Sequence, residues 1–324
     1  MKRSLFGAAI AAGYMLAVSG TLKAEELSVR LDFSPWGMHA GMHLAQEKGW
    51  FEEEGLTVDV QDGRGSGNTL QLVNAGQVDV GQVQLGLLGG IREEGATTTS
   101  FAGFMPRTDL CVLVPEDSDI QAIEDLEGKS VVVFAASPWA PFIDPFLEAG
   151  GLDRNSAEVL FVDPAALWGT YTSGRADGLM STYTSALPVA AGPRLSRCLM
   201  ASDAGLEFPS YGLVATEETI EQRGEALEKL VRTQQRAWEH MKTNIDDGVQ
   251  AIMNQRPDAN LDPDILREQI RLTLDFLDTP ATEGKPIGWQ AEEDWNAALN
   301  SLERAGVVEA GWDPQDYYTN EFVE

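Results

Sequence analysis

From residue 27 onward the apolar residues fall into short β-branched runs, separated by stretches in which they recur every three or four positions. The first pattern belongs to strands and the second to amphipathic helices. Together they predict strands over 27–33, 56–60 and 78–83, with helices over 40–51 and 69–75 between them. Strand, helix and strand in that order build a parallel sheet from βαβ units. Two more strands, over 97–104 and 110–115, follow without a long helix between them.

The rhythm then begins again. A short helix over 122–126 precedes the apolar run 130–134, and a helix over 141–149 leads to a strand over 159–162. A helix over 165–173, a strand over 178–181, a short helix ending at Ala190 and strands over 197–201 and 210–215 complete the second unit. Beyond it Leu227, Leu230, Val231, Trp238 and Met241 keep helical spacing among charged residues, and further helices are predicted over 263–276 and 290–304. Two successive α/β units with a helical tail imply two lobes. We place lobe I at 25–111 plus 211–324 and lobe II at 112–210, with chain crossings near Cys111 and Tyr211.

The start of the chain reads as a leader. Lys2 and Arg3 precede an apolar stretch over 5–18, and small and polar residues then run to Ala24. That order is a secretory signal peptide, with an apolar core too short to span a bilayer, and cleavage is expected after Ala24. Export to the periplasm follows as the expectation, with an uncleaved anchor as the alternative. Cleavage would remove three basic residues and no acid, taking the formal charge from −28 to −31. Such a charge repels nucleic acid and anionic lipid, which excludes both as partners. The two cysteines, Cys111 and Cys198, lie in apolar strand-like segments. Buried free thiols are expected there, with an exported disulfide as the alternative.

Two stretches carry a family resemblance: AQEKGWFEEEGLTVDV at 45–60 and GSGNTLQLVNAGQVDVG at 65–81. The chain resembles periplasmic binding proteins for thiamine-pyrimidine precursors, in a wider family that includes sulfonate, taurine and nitrate binders. The resemblance implies a two-lobed α/β periplasmic-binding-protein (type II) fold with two crossover strands and C-terminal helices. It also implies an ABC importer whose permease and ATPase are the partners, a small-molecule ligand captured between the lobes, and a monomer. The eukaryotic pyrimidine-making relatives are enzymes with a cysteine cluster, which this chain lacks.

Open α/β sheets bind ligands beyond the carboxyl ends of their strands, so the candidate site is read from those ends. After the first strand come Trp36, placed to stack on a flat ring, and His39 in the first turn of the next helix. Gly65, Ser66, Asn68 and Thr69 follow the second strand, where backbone N–H groups at a helix N-terminus would suit a polar or anionic group; a plain turn capped by Asn68 is the alternative. Gln84 ends the third strand. Arg107 precedes the first crossing and could pair with a ligand anion or with Asp109. From the second lobe come Ser137, Trp139, Thr182 and Tyr183, and Tyr211 opens the return crossing. A planar ring sandwiched by Trp36 and one of Trp139, Tyr183 and Tyr211 is the specific expectation.

Catalytic readings find little. His39 and His43 stand four apart, a metal-compatible spacing, but no third ligand or glutamate accompanies them. The glycine loop lacks the full dinucleotide fingerprint, so no cofactor is expected. An exported enzyme on the same scaffold is the reading in a different class, and a sulfonate-type anion is the alternative ligand.

Overall fold

The computed structural model describes residues 24–324, so the leader lies outside the described residues. Among the described residues, ten strands form two five-stranded sheets. In the first, Glu25–Arg30 (β1) runs parallel to Leu56–Gln61 (β2) and to Val80–Gln84 (β3). Thr98–Gly103 (β4) closes one edge, giving the order β2-β1-β3-β10-β4. In the second, Leu110–Pro115 (β5), Ser130–Val133 (β6), Glu158–Phe161 (β7), Gly178–Thr182 (β8) and Ser196–Met200 (β9) take the order β7-β6-β8-β5-β9. Tyr211–Thr216 (β10) then returns to the first sheet, antiparallel to both β3 and β4.

The two sheets share one plan. Each has three parallel strands, with β1 or β6 in the middle, and an antiparallel strand, β10 or β5, inserted beside them. Burial follows from that position. β5 and β3 are buried along their whole length, as strands covered on both faces are, whereas edge strand β2 alternates buried and exposed. The chain passes between the sheets through 104–109 and 201–210. All of β5, including Cys111, therefore belongs to the second sheet, a few residues earlier than the boundary read from sequence.

The predicted helical tail is present. Thr216 caps the helix Glu217–Met241 by accepting the Thr219 N–H at 3.1 Å. Its Leu227, Leu230, Val231, Trp238 and Met241 are buried against the first sheet's core. Helices Ile245–Gln255, Pro263–Leu274 and Glu292–Arg304 follow. Among the described residues no helix is long and apolar enough to cross a membrane.

One sequence expectation is corrected here. Cys111 and Cys198 are not free thiols but form a disulfide between the neighbouring strands β5 and β9, with Cα atoms 5.5 Å apart. Their separation of 87 residues conceals the contact, which only the strand order creates. The bond closes nearly the whole second lobe into one loop. Cys198→Ala should therefore lower unfolding free energy by about 2–4 kcal/mol. Urea titration of wild type with and without reductant measures this, and coincident curves would disprove it.

Candidate functional site

The site begins where β1 ends. Asp32 is 4 % exposed, and its carboxylate gathers three donors from three directions. Trp36 Nε1 donates to Oδ1 at 3.3 Å, the His39 Nε2 lies 2.7 Å from the same oxygen, and the Tyr211 hydroxyl donates to Oδ2 at 3.2 Å. His39 Nδ1 accepts the Trp36 backbone N–H at 3.4 Å, which assigns the ring proton of the neutral imidazole to Nε2, facing Asp32. Burial, reinforced by the Asp32 charge, holds the Tyr211 phenol well above its usual range, so it remains a donor. A carboxylate offers about four acceptor positions. Three are occupied, and Asp32 borders the cavity between the lobes.

The glycine loop is fastened to the same strand end. Gly65 N–H donates to the Asp32 carbonyl at 2.6 Å, Thr69 Oγ1 donates to Leu31 O at 2.8 Å, and Ser66 Oγ accepts the Gln84 N–H at 3.1 Å. Gly65 itself has φ +119° and ψ 141°, a conformation closed to residues with a Cβ. It presses against the other lobe, where an added Cβ would overlap Ala136 O and lie 2.9 Å from Phe134 Cε2.

Across the cleft stand the carboxyl ends of β6, β7 and β8. Two chambers lie between the lobes, an inner one of ≈ 50 Å³ and an outer one of ≈ 950 Å³. Phe33, Trp36, Phe134, Trp168 and Ser185 border both. Helix Pro263–Leu274 supplies a third wall. Its Gln269 bridges the lobes, accepting Gly37 N–H at 3.0 Å and donating to Ser185 O at 2.8 Å. Arg64, Asp163 and Asp262 all border the outer chamber.

The residues named from sequence separate into three groups. Trp36, Gly65, Ser137, Thr182 and Tyr211 border the inner chamber, and Trp36 and Asn68 the outer one. His39, Ser66, Thr69 and Gln84 are buried behind the wall, where they hold its backbone and Asp32. Arg107, Trp139 and Tyr183 border neither chamber. Arg107 does not reach Asp109; its Nη2 donates to Asp275 O at 2.6 Å and its guanidinium lies 4.1 Å over the Phe276 ring. Trp139 is fully buried, donating to Ser181 O at 2.7 Å and meeting Phe146 edge-on. Successive turns from Phe134 to Phe142 swing its ring into the lobe's core. The Tyr183 ring instead leans on Phe276, 6.0 Å away.

The expected sandwich also changes. Trp36 and Tyr211 meet edge-to-face with centroids 5.4 Å apart, both on the first lobe's side, so no ring lies between them while that contact holds. Asp32, Phe33, Phe134, Ser185 and Gln269 went unnamed. The signal for Asp32, Phe33 and Phe134 is their place at the very end of a predicted strand, just before the loop.

The two histidines of metal-compatible spacing, His39 and His43, are both engaged in hydrogen bonds. His43 Nδ1 lies 2.7 Å from Gln255 Oε1, and burial pushes its pKa down to about 4, so the ring is neutral. Among the described residues no cluster of His, Cys, Asp and Glu could hold a metal ion.

The profile of the NMT1/THI5-like family matches residues 36–246, from the site's Trp36 through both crossings. The chain belongs to this family. The formylaminopyrimidine-binding protein of Halalkalibacterium halodurans is 26 % identical over 286 residues, covering 86 % of this chain and 85 % of that protein. The riboflavin-binding protein RibY of Chloroflexus aurantiacus is 22 % identical, covering 92 % of this chain and 86 % of its own. The periplasmic aliphatic sulphonate binding protein SsuA of Escherichia coli superposes with a TM-score of 0.65 at 16 % identity, covering 90 % of this chain and 91 % of that one. The NMT1/THI5-like chain thus has the fold of periplasmic binding proteins, and both sequence relatives are named for binding.

Proposed function

We propose that this NMT1/THI5-like protein is the solute-binding component of an ABC importer in the periplasm, and that it captures a planar heteroaromatic ligand, such as a thiamine pyrimidine precursor, between its lobes. One observation carries the reading: aromatic residues from both lobes, Phe33 and Trp36 on one side and Phe134 and Trp168 on the other, line a pocket that Asp32 also borders. Flat apolar walls select a ring, and an acceptor of fixed orientation selects N–H donors on its edge, as an amino-substituted heterocycle provides. The sequence relatives named for a formylaminopyrimidine and for riboflavin support it. A catalytic role gains nothing from His39, whose two ring nitrogens are engaged with Trp36 and Asp32.

A sulfonate-type or nitrate anion is the second reading, favoured by Arg64, which makes no ion pair among the described residues and borders the outer chamber. Charge weighs against it. Asp32, Asp163 and Asp262 set three carboxylates around the cavities against the one guanidinium of Arg64. A thermal-shift series with 4-amino-5-hydroxymethyl-2-methylpyrimidine, riboflavin, taurine and nitrate separates the readings. A ligand at a hundred times its Kd adds about 2.7 kcal/mol of stability, a rise of several degrees in Tm. A shift with a heteroaromatic compound and none with the anions is expected; the reverse would replace the first reading with the second.

A further inference from the structure

The only stacked ring pair that joins the two lobes at the cleft, among the described residues, is Phe33 with Phe134. Phe33 follows β1 and Phe134 follows β6. β1 and β6 hold equivalent places in the two sheets, each between two parallel neighbours. Their centroids are 5.4 Å apart with planes inclined by 29°. Phe33 packs against the core of both lobes, and both residues border both chambers, so the pair stands at the junction between them, with Trp36, Trp168 and Ser185.

We propose that Phe33 and Phe134 are the two jaws that hold the ligand's ring, and that in the empty protein each phenyl occupies the place the ligand's face will take. This rests on the planar-ligand reading above and goes beyond it by assigning the faces. Insertion exchanges one ring–ring contact for two, a gain that neither Trp36 nor Tyr211 can offer while they stay locked edge-to-face on one wall. The same placement orients the ligand. The edge turned inward meets Asp32, Thr182 and Ser137, which favour a donor-bearing edge such as a ring amino group. The substituent turned outward enters the ≈ 950 Å³ chamber, several times the size of a single heterocycle. The ligand class is therefore an amino-substituted planar heterocycle carrying a polar substituent on the far side of its ring.

The jaws are tested by calorimetry on the exported protein with 4-amino-5-hydroxymethyl-2-methylpyrimidine and riboflavin as probes. Leucine keeps the apolar volume and removes the π face. Phe33→Leu and Phe134→Leu should each weaken binding of whichever probe wild type binds by about tenfold, while Phe134→Tyr stays within about threefold. Binding within twofold of wild type in both leucine variants would overturn the jaws and leave the importer reading standing. Wild type that binds neither probe would overturn the planar-ligand reading itself, and the jaws with it. Should a leucine variant melt early, the wild-type complex decides the matter. A ring lying between phenyls that have parted to roughly 7–8 Å, two van der Waals layers, supports the proposal, and a ring bound elsewhere overturns it.

Discussion

Replacing Gly65 with alanine is expected to weaken ligand binding by at least about a hundredfold, roughly 2.7 kcal/mol, while leaving the protein folded. Two separate effects act at this residue. Its φ of +119° with ψ of 141° costs any residue with a Cβ on the order of 1–3 kcal/mol of backbone strain. The second effect lies across the cleft, where the new methyl would overlap Ala136 O and crowd Ala136 Cβ and Phe134 Cε2, each at 2.9 Å. Ala136 and Phe134 belong to the other lobe, so the overlap is relieved by opening the cleft rather than by unfolding. Gly76→Ala separates the two effects, because Gly76 has φ +63° but open space where a Cβ would go. That variant should lose about 1 kcal/mol of stability and bind as wild type does. Solution scattering supplies the structural readout. Gly65→Ala should scatter as a more extended particle than wild type at ligand concentrations that saturate wild type. A radius of gyration and an affinity like those of wild type in Gly65→Ala would show that the lobes need not meet at this point.

The architecture was legible because the strands announce themselves twice over. The runs at 56–60 and 130–134 are β-branched, bounded by turns and spaced by helical stretches, so both sheets and the helical tail could be read. The site was legible only as a set of strand ends. Position along the chain located Trp36, Asn68, Ser137, Thr182 and Tyr211 at the cavities. Side-chain direction it could not supply. Trp139 and Phe134 stand five residues apart on one loop, yet Phe134 meets the opposite lobe and Trp139 turns into its own core. What decides between them is the series of turns over 134–142, whose hydrogen bonds leave no periodic trace in the sequence. His39, Ser66 and Thr69 look like ligand-binding residues for a related reason. A polar side chain at a strand end serves equally to fasten the loop to the strand, and each of these is spent on that task. The disulfide was illegible on similar grounds, since β5 and β9 become neighbours only through the sheet order.

Removing the carboxyl of Asp109 should destabilise the protein by roughly 3–6 kcal/mol, about the largest single effect expected from one substitution here. Asp109 ends the first crossing, 104–109, and is fully buried. Its Oδ1 accepts the Ser210 hydroxyl at 2.6 Å and its Oδ2 accepts the Thr184 hydroxyl at 2.5 Å. Ser210 lies in the second crossing and Thr184 in the second lobe's helix Tyr183–Ala190. Gln84, at the end of β3 in the first lobe, lies 2.8 Å from the same Ser210 hydroxyl. One carboxyl thus joins both crossings to both lobes. Asp109→Ala strands two buried hydroxyls, at about 1–3 kcal/mol each, and leaves a small cavity. Asp109→Asn keeps the shape, with its carbonyl accepting from one hydroxyl and its amide donating to the other, and should stay within about 1–2 kcal/mol of wild type. The pair also carries a pH signature. Burial raises the Asp109 pKa, against the opposing pull of the Ser210 and Thr184 hydrogen bonds. A carboxyl whose folded pKa lies above its unfolded value contributes its full stability below the unfolded pKa and loses it as pH rises through the folded one. The stability of wild type relative to Asp109→Asn should therefore fall as pH climbs from the ordinary carboxyl range through that raised value. Urea unfolding of both proteins across that range measures the difference, with the pairwise comparison cancelling the many other acids. A difference that stays flat, or that grows with pH, would mean that Asp109 is held ionised and that the crossings are joined by a charge.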